Sequence, residues 1–278
     1  MTKTELLAVL ESLGVHPSRK LGQNFLVDDN MLAAMVRQAA PQPQEAILEV
    51  GPGTGVLTRK LLAAGCRVTA VELDHRFVAY LTGALGGNER FRLVQGDACK
   101  VDYHELMGDQ PFRCIANLPY ACSSVFLARL LETAPQASAC FVLLQREMGE
   151  RLAAKPGTKA YGALSVRIQL RYAVDVLRIV PGSVFFPPPD VASAYVRLAS
   201  LPEQVDLELQ RQAGRVATIA FSQRRKKALR VLAGAYGKEN VIGAFRELGI
   251  DEDIRAERLP PETFARLAAC LRVGPPTY

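Results

Sequence analysis

Over its first 145 residues the chain alternates short β-branched apolar runs with amphipathic stretches of helix length, a rhythm that few folds satisfy. Ala46–Gly51, Arg67–Glu72, Phe91–Gln95, Phe112–Asn117 and Ala139–Leu144 read as buried strands. Between them Leu57–Ala64, Arg76–Leu85 and Val125–Leu131 carry apolar residues at helical spacing. Strands joined by helical crossovers run parallel and wind right-handedly, so the pattern predicts a doubly wound, Rossmann-like α/β sheet. Two further strand candidates, Val176–Val180 and Ala194–Leu198, flank Phe185-Phe186-Pro187-Pro188-Pro189. Prolines donate no ladder bond, so that run reads as a stiff loop. Past Leu201-Pro202 only helical patterns follow: Leu207–Phe221, Lys227–Ala235, Val241–Leu248 and Glu262–Leu271. The expected organisation is a sheet domain over residues 1–201 and a small all-helical domain over 202–278.

A length of 278 residues suits one large domain and one small one. The net charge of +6 and isoelectric point near 9.1 point to a polyanionic partner, although the placement of that charge matters more than its total. Six cysteines stand at 66, 99, 114, 122, 140 and 270, no two of them as C-x-x-C, with only three histidines. That pattern fits reduced thiols in a cytoplasm rather than a disulfide scaffold, and no metal is expected. Met1 to Leu13 is a short amphipathic segment without the basic and apolar regions of a signal peptide. No apolar run reaches the ~18 residues of a membrane span. Nothing in the sequence asks for a dimer, and a monomer is expected.

The first strand runs into Glu49-Val50-Gly51-Pro52-Gly53-Thr54-Gly55, followed by a helix. In doubly wound sheets ligands bind beyond the carboxyl ends of the strands, where glycines let them approach the backbone. A dinucleotide fingerprint needs a third glycine one residue later, and Val56 stands there. Alone, such a turn is also what a tight structural loop looks like. The second strand, however, ends in Glu72, 21 residues after Gly51, where a carboxylate can accept both ribose hydroxyls of an adenosine. Asp97, after the third strand, is placed to accept from an adenine amine. A pyrophosphate is repelled by so many carboxylates, whereas a sulfonium with an ammonium group is not. The set favours S-adenosyl-L-methionine over NAD.

After the fourth strand comes Asn117-Leu118-Pro119-Tyr120. An exocyclic adenine amine is a poor nucleophile because its lone pair is delocalised into the ring. Accepting its two N–H bonds, from the Asn117 side-chain oxygen and the Leu118 carbonyl, aims that lone pair. Pro119 stiffens the turn, and Tyr120 offers a face on which a base can stack. Displacement at a methyl group then requires alignment rather than a catalytic triad. Cys122, two residues on, reads as a small buried filler.

Between Leu209 and Lys238 there are eight basic residues and no acid, with Arg224, Arg225, Lys226 and Lys227 consecutive. A charge run is commonly a solvated helix face, but unrelieved self-repulsion over thirty residues suits a phosphate backbone. Lys155 and Lys159, flanking Pro156-Gly157, are candidates for a second, mobile contact with that backbone near the active site.

In this order the motifs resemble the bacterial ribosomal RNA adenine N6,N6-dimethyltransferases, cousins of the erythromycin-resistance methyltransferases. The likeness spans about residues 19 to 235 and includes Lys20-Leu21-Gly22-Gln23-Asn24-Phe25-Leu26, the glycine turn, Glu72, Asp97 and Asn117–Tyr120. It continues through Lys155–Gly162, Phe185 with its prolines, and Phe221–Lys227. The resemblance implies that Asn24 and Leu26 close over the methionine end of the cofactor, with Gly51, Glu72, Asp97 and Asn117 completing its site. It implies that Phe185 walls the base pocket opposite Tyr120; read without the family, Phe185 is a core residue beside a proline loop. It also implies dimethylation of two adjacent adenosines in a hairpin loop near the 3′ end of small-subunit rRNA, free or in an assembling subunit. Asp190 stands where the family usually has lysine, which puts one RNA interaction in doubt.

Overall fold

The computed structural model describes residues 1–17, 23–203 and 205–271. The chain packs as two compact units, one of Met1–Gly149 with Asp175–Ala199, the other of Glu150–Val174 with everything from Ser200 onward. The sequence suggests one boundary near residue 201. The structure keeps a division there but moves residues 150–174 into the helical unit. The reason is burial: Ala154, Tyr161, Val166 and Leu170 complete the core of that unit rather than that of the sheet.

The sheet unit opens with α1 (Lys3–Ser12), started by a capping box in which Thr2 and Glu5 satisfy each other's backbone N–H. Then come β1 (Phe25–Leu26), α2 (Asp29–Ala39), β2 (Ala46–Val50), α3 (Val56–Ala63), β3 (Arg67–Glu72), α4 (His75–Leu85) and β4 (Phe91–Gln95). α5 (Tyr103–Met107), β5 (Phe112–Asn117), α6 (Ser123–Thr133), β6 (Ala137–Gln145) and α7 (Arg146–Leu152) follow. After α8 (Ala163–Gln169) the chain adds β7 (Tyr172–Val180), β8 (Phe185–Phe186) and β9 (Ser193–Ser200). The main sheet has the order β4-β3-β2-β5-β6-β9-β7. β2 pairs in parallel with both β3 and β5, so the winding direction reverses between β2 and β5. That reversal leaves a crevice at the carboxyl ends of these strands. β9 runs antiparallel to β6, which brings its first residue, Ser193, opposite Gln145 at the same end of the sheet.

β1 and β8 form a separate two-stranded ribbon, Phe25 opposite Phe186 and Leu26 opposite Phe185. The segment read as a stiff loop is therefore a strand for two residues before the prolines begin. Leu6 and Leu10 of α1 are buried with Phe77 of α4, and Phe25 tilts onto Phe77 at 5.6 Å.

The helical unit comprises α8 with α9 (Leu207–Phe221), α10 (Ala228–Tyr236), α11 (Lys238–Glu247) and α12 (Pro261–Cys270). Fully buried Tyr161 sets its ring edge against Phe221 at 5.8 Å and donates its hydroxyl to the Leu259 carbonyl at 2.9 Å. Tyr161→Phe leaves that buried carbonyl short of a donor and should cost about 1–2 kcal/mol. The expected outcome is a lower urea midpoint with unchanged helix content by circular dichroism.

Candidate active site

A cavity of about 360 Å³ opens at the reversal point of the sheet, in the sheet unit. The turn after β2 holds Gly51 and Gly53 at φ +66° and +54°, where a side chain is strained. Space is equally restrictive: a Cβ on Gly51 would stand 3.0 Å from Pro119, and one on Gly53 3.0 Å from the Phe25 ring. The glycines thus let two neighbouring turns and the β1 segment close around one hollow.

Glu72, at the end of β3, is nearly buried and is held by three backbone N–H groups. Gly53 donates to Oε2 at 3.1 Å; Leu73 and Asp74 donate to Oε1 at 2.9 and 3.0 Å. Burial pushes its pKa up, and the three backbone donors pull it back. The adjoining Leu73 leaves 60% of its surface exposed, an apolar face in the cavity wall. Asp97, after β4, accepts from the Cys99 N–H at 2.9 Å and lies 3.8 Å from the Lys100 ammonium.

Asn117 ends β5. Its Nδ2 donates to the Asn24 main-chain carbonyl at 3.1 Å, which leaves Oδ1 as the atom that can accept. Leu118 is buried, its N–H bonded to the Leu143 carbonyl at 3.0 Å. The Pro119 carbonyl accepts from the Ser123 hydroxyl at 3.0 Å and the Cys122 N–H at 3.2 Å, so the first turn of α6 grips the motif. The Tyr120 hydroxyl is hydrogen-bonded to that of Ser193.

Asn24, Leu26, Gly51, Glu72, Asp97, Asn117, Leu118, Pro119 and Tyr120 therefore line one cavity. Phe185 does not join them. It is buried in the core with Leu26, Met31 and Tyr195, because its register opposite Leu26 turns its ring inward. Successive strand residues alternate faces, so Phe186 goes the other way, to the α1 cluster and the Lys3 ammonium 5.0 Å from its ring. The resemblance implies that Phe185 walls the base pocket; here its ring lies in the core and outside the cavity lining. Lys20, Leu21 and Gly22 lie outside the described residues.

Glu49, which the sequence shows only as the head of the glycine turn with no role of its own, is the most consequential addition to the site. β2 is central and covered on both faces, so a carboxyl on it is buried. Thr58 donates its hydroxyl to Glu49 Oε2 at 2.7 Å. Burial first, with the charge of Glu72 adding to it, pushes the Glu49 pKa up to about 8. Centrality of the strand was the signal available in the sequence.

In the helical unit Arg224 pairs with Glu257 at 3.3 Å and Lys227 with Asp253, while Arg225 and Lys226 are exposed. Gly157 donates its N–H to the Glu257 carbonyl at 2.6 Å, which ties the Lys155–Lys159 loop down. Among the described residues no group of three or more metal-ligating side chains occurs, and no helix is long and apolar enough to cross a membrane.

A doubly wound sheet with an acidic crevice at its reversal point and an Asn-Leu-Pro-Tyr turn beside it is the arrangement of a Rossmann-like methyltransferase. The ribosomal RNA adenine dimethylase family matches residues 16–272. A small-subunit ribosomal RNA methyltransferase A of Clostridium acetobutylicum is 36% identical over 263 residues, 94% of this chain and 95% of that one. Its namesake in Deinococcus radiodurans is 38% identical over 272 residues, 96% and 89% of the two chains. A dimethyladenosine transferase from Plasmodium falciparum shares the fold, with a TM-score of 0.72 at 24% identity over 87% of this chain and 95% of that one. The chain belongs to the ribosomal RNA adenine dimethylase family, and it is an S-adenosylmethionine-dependent methyltransferase.

The raised Glu49 pKa has a stability consequence. Unfolded, its carboxyl titrates near 4.5; folded, near 8. Between those values the native state holds the extra proton, so stability falls as pH rises through the window. Thermal unfolding of the ligand-free protein from pH 5 to 8 should therefore show a declining midpoint. Glu49→Gln should flatten that decline.

Proposed function

We propose that the enzyme transfers methyl groups to N6 of two adjacent adenosines in a hairpin loop near the 3′ end of small-subunit rRNA, during ribosome biogenesis. The single observation that carries the reading is the Asn117 amide, turned by the Asn24 carbonyl so that its oxygen is the available acceptor beside Tyr120. The names of the relatives point to the small subunit.

The cavity suits S-adenosylmethionine by the chemistry of its donors. Glu49 and Glu72 are buried acids whose charge a sulfonium and an ammonium offset, and Leu73 offers an apolar face to an adenine. When bound, this cofactor supplies an electrophilic methyl group. Asn24, Leu26, Gly51, Glu72, Asp97 and Asn117 would hold it, with Glu72 accepting from the ribose and Asp97 from the adenine amine. Asn117 Oδ1 and the Leu118 carbonyl would accept the two N–H bonds of the target amine, and Tyr120 would stack on its ring. The base must leave its stack to reach them, which a hairpin loop permits more readily than a duplex.

The test is transfer of labelled methyl groups to small-subunit particles lacking the modification, with nucleosides identified by mass spectrometry. N6,N6-dimethyladenosine is expected in the 3′-terminal hairpin. Asn117→Ala should lower the single-turnover rate by about 10²–10³-fold, as loss of a well-placed transition-state acceptor does, with RNA affinity nearly unchanged. Product from large-subunit RNA alone would overturn the assignment.

Arg224, Arg225, Lys226 and Lys227 would bind rRNA phosphates. The pairing of Arg224 and Lys227 with acids sharpens the expectation. Replacing Arg225 and Lys226 with glutamine should flatten the salt dependence of RNA binding by roughly 0.7–0.9 for each phosphate no longer neutralised. The same change at Arg224 and Lys227 should flatten it less, because each is already partly neutralised by an acidic partner. Filter binding across a salt series measures both.

A further inference from the structure

We infer that Ser193 is a positioning residue for methyl transfer, anchoring the Tyr120 ring through its hydroxyl. The inference rests on the proposed stacking role of Tyr120 and extends it to a residue 73 positions downstream.

Ser193 is fully buried, so its hydroxyl is cut off from water and needs a protein partner. That partner is the Tyr120 hydroxyl. Tyr120 itself is half-buried and lines the cavity. A tyrosine ring has two soft torsions and is fixed by its backbone at one end only. A hydrogen bond at the far end holds the ring tip in place, which fixes the first torsion and keeps the ring at the cavity wall where a base can lie.

The topology makes this anchor rigid. β9, sixth of the seven strands, runs antiparallel to β6, so its first residue reaches the end where the parallel strands finish. Ser193 sits opposite Gln145, and the preceding Ala192 carbonyl accepts from the Arg146 N–H at 2.9 Å. Both hydroxyl-bearing residues thus stand on strand-end backbone, one beyond β5, the other at the start of β9. Burial raises the Tyr120 pKa while the Ser193 hydroxyl lowers it only in part. The bond therefore joins two neutral hydroxyls near pH 7, and its effect should not vary with pH there.

The test is a double-mutant cycle of Ser193→Ala, Tyr120→Phe and the pair together. Tyr120→Phe keeps the stacking face and removes only the hydroxyl. Each single variant should lower the single-turnover rate about 3- to 10-fold, the worth of one neutral hydrogen bond, with cofactor Kd unchanged. The double variant should be no slower than either single. Multiplied losses, or a Ser193→Ala loss accompanied by weaker cofactor binding, would overturn the anchor in favour of a general packing role. A second arm needs no catalysis: nuclear magnetic resonance of labelled tyrosine, with the Tyr120 signal assigned by its absence in Tyr120→Phe. Scalar couplings across the first side-chain torsion of Tyr120 should report one rotamer in the parent and an average in Ser193→Ala; a single unchanged rotamer in both would overturn the anchor. A parent inert on every rRNA substrate would defeat the methyltransfer reading instead, and the rotamer measurement would then decide the anchor by itself.

Discussion

Two carboxyl groups, Glu49 and Glu72, are held below the surface at neighbouring strand ends, and much of the site is arranged around the cost of keeping them there. Unpaired buried charge is among the least favourable features a fold can carry. Here it is moderated by a threonine hydroxyl on one carboxyl and three backbone N–H groups on the other. Neither arrangement brings in a basic side chain. A cation bound beside them would offset both carboxyls and draw the Glu49 proton off as the pair of charges is completed.

One of those backbone donors, Gly53, explains why the glycine turn has a definite shape. Gly53 bonds back to Glu72, Gly51 abuts Pro119, and Phe25 covers Gly53. Strand ends from three separate βα units are thereby locked to one another. The β1–β8 ribbon adds the fourth side, because the Asn24 carbonyl just ahead of it orients the Asn117 amide. A residue whose side chain was expected to touch ligand therefore contributes through its main chain as well.

What was legible in the sequence followed from periodicity and chemistry of short range. The parallel strands, the glycine turn, Glu72, Asp97 and Asn117–Tyr120 each announced themselves within a few residues, and all of them meet in one cavity. Long-range register was not legible. Phe185 and Phe186 are chemically identical neighbours, and only the pairing of Leu26 with Phe185 decides which of them enters the core. Likewise nothing local in the segment 150–174 tells which of the two cores its apolar residues join; only the helices that bury Tyr161 decide it. The link from Tyr120 to Ser193 depends on β9 running antiparallel, a property that no local pattern encodes.

The route of the chain between the two units bears on how the molecule is made. The polypeptide leaves the sheet unit after Gly149, returns at Asp175 and leaves again after Ala199. On the ribosome, residues 150–174 emerge well before α9 to α12, their eventual packing partners. Tyr161, Val166 and Leu170 must therefore wait, apolar and uncovered, while β7 to β9 are synthesised and the sheet is completed. A cut at residue 201 would not release two domains but would divide one hydrophobic core between two fragments. The helical unit is thus a late structure, built only after nearly the entire chain has been translated.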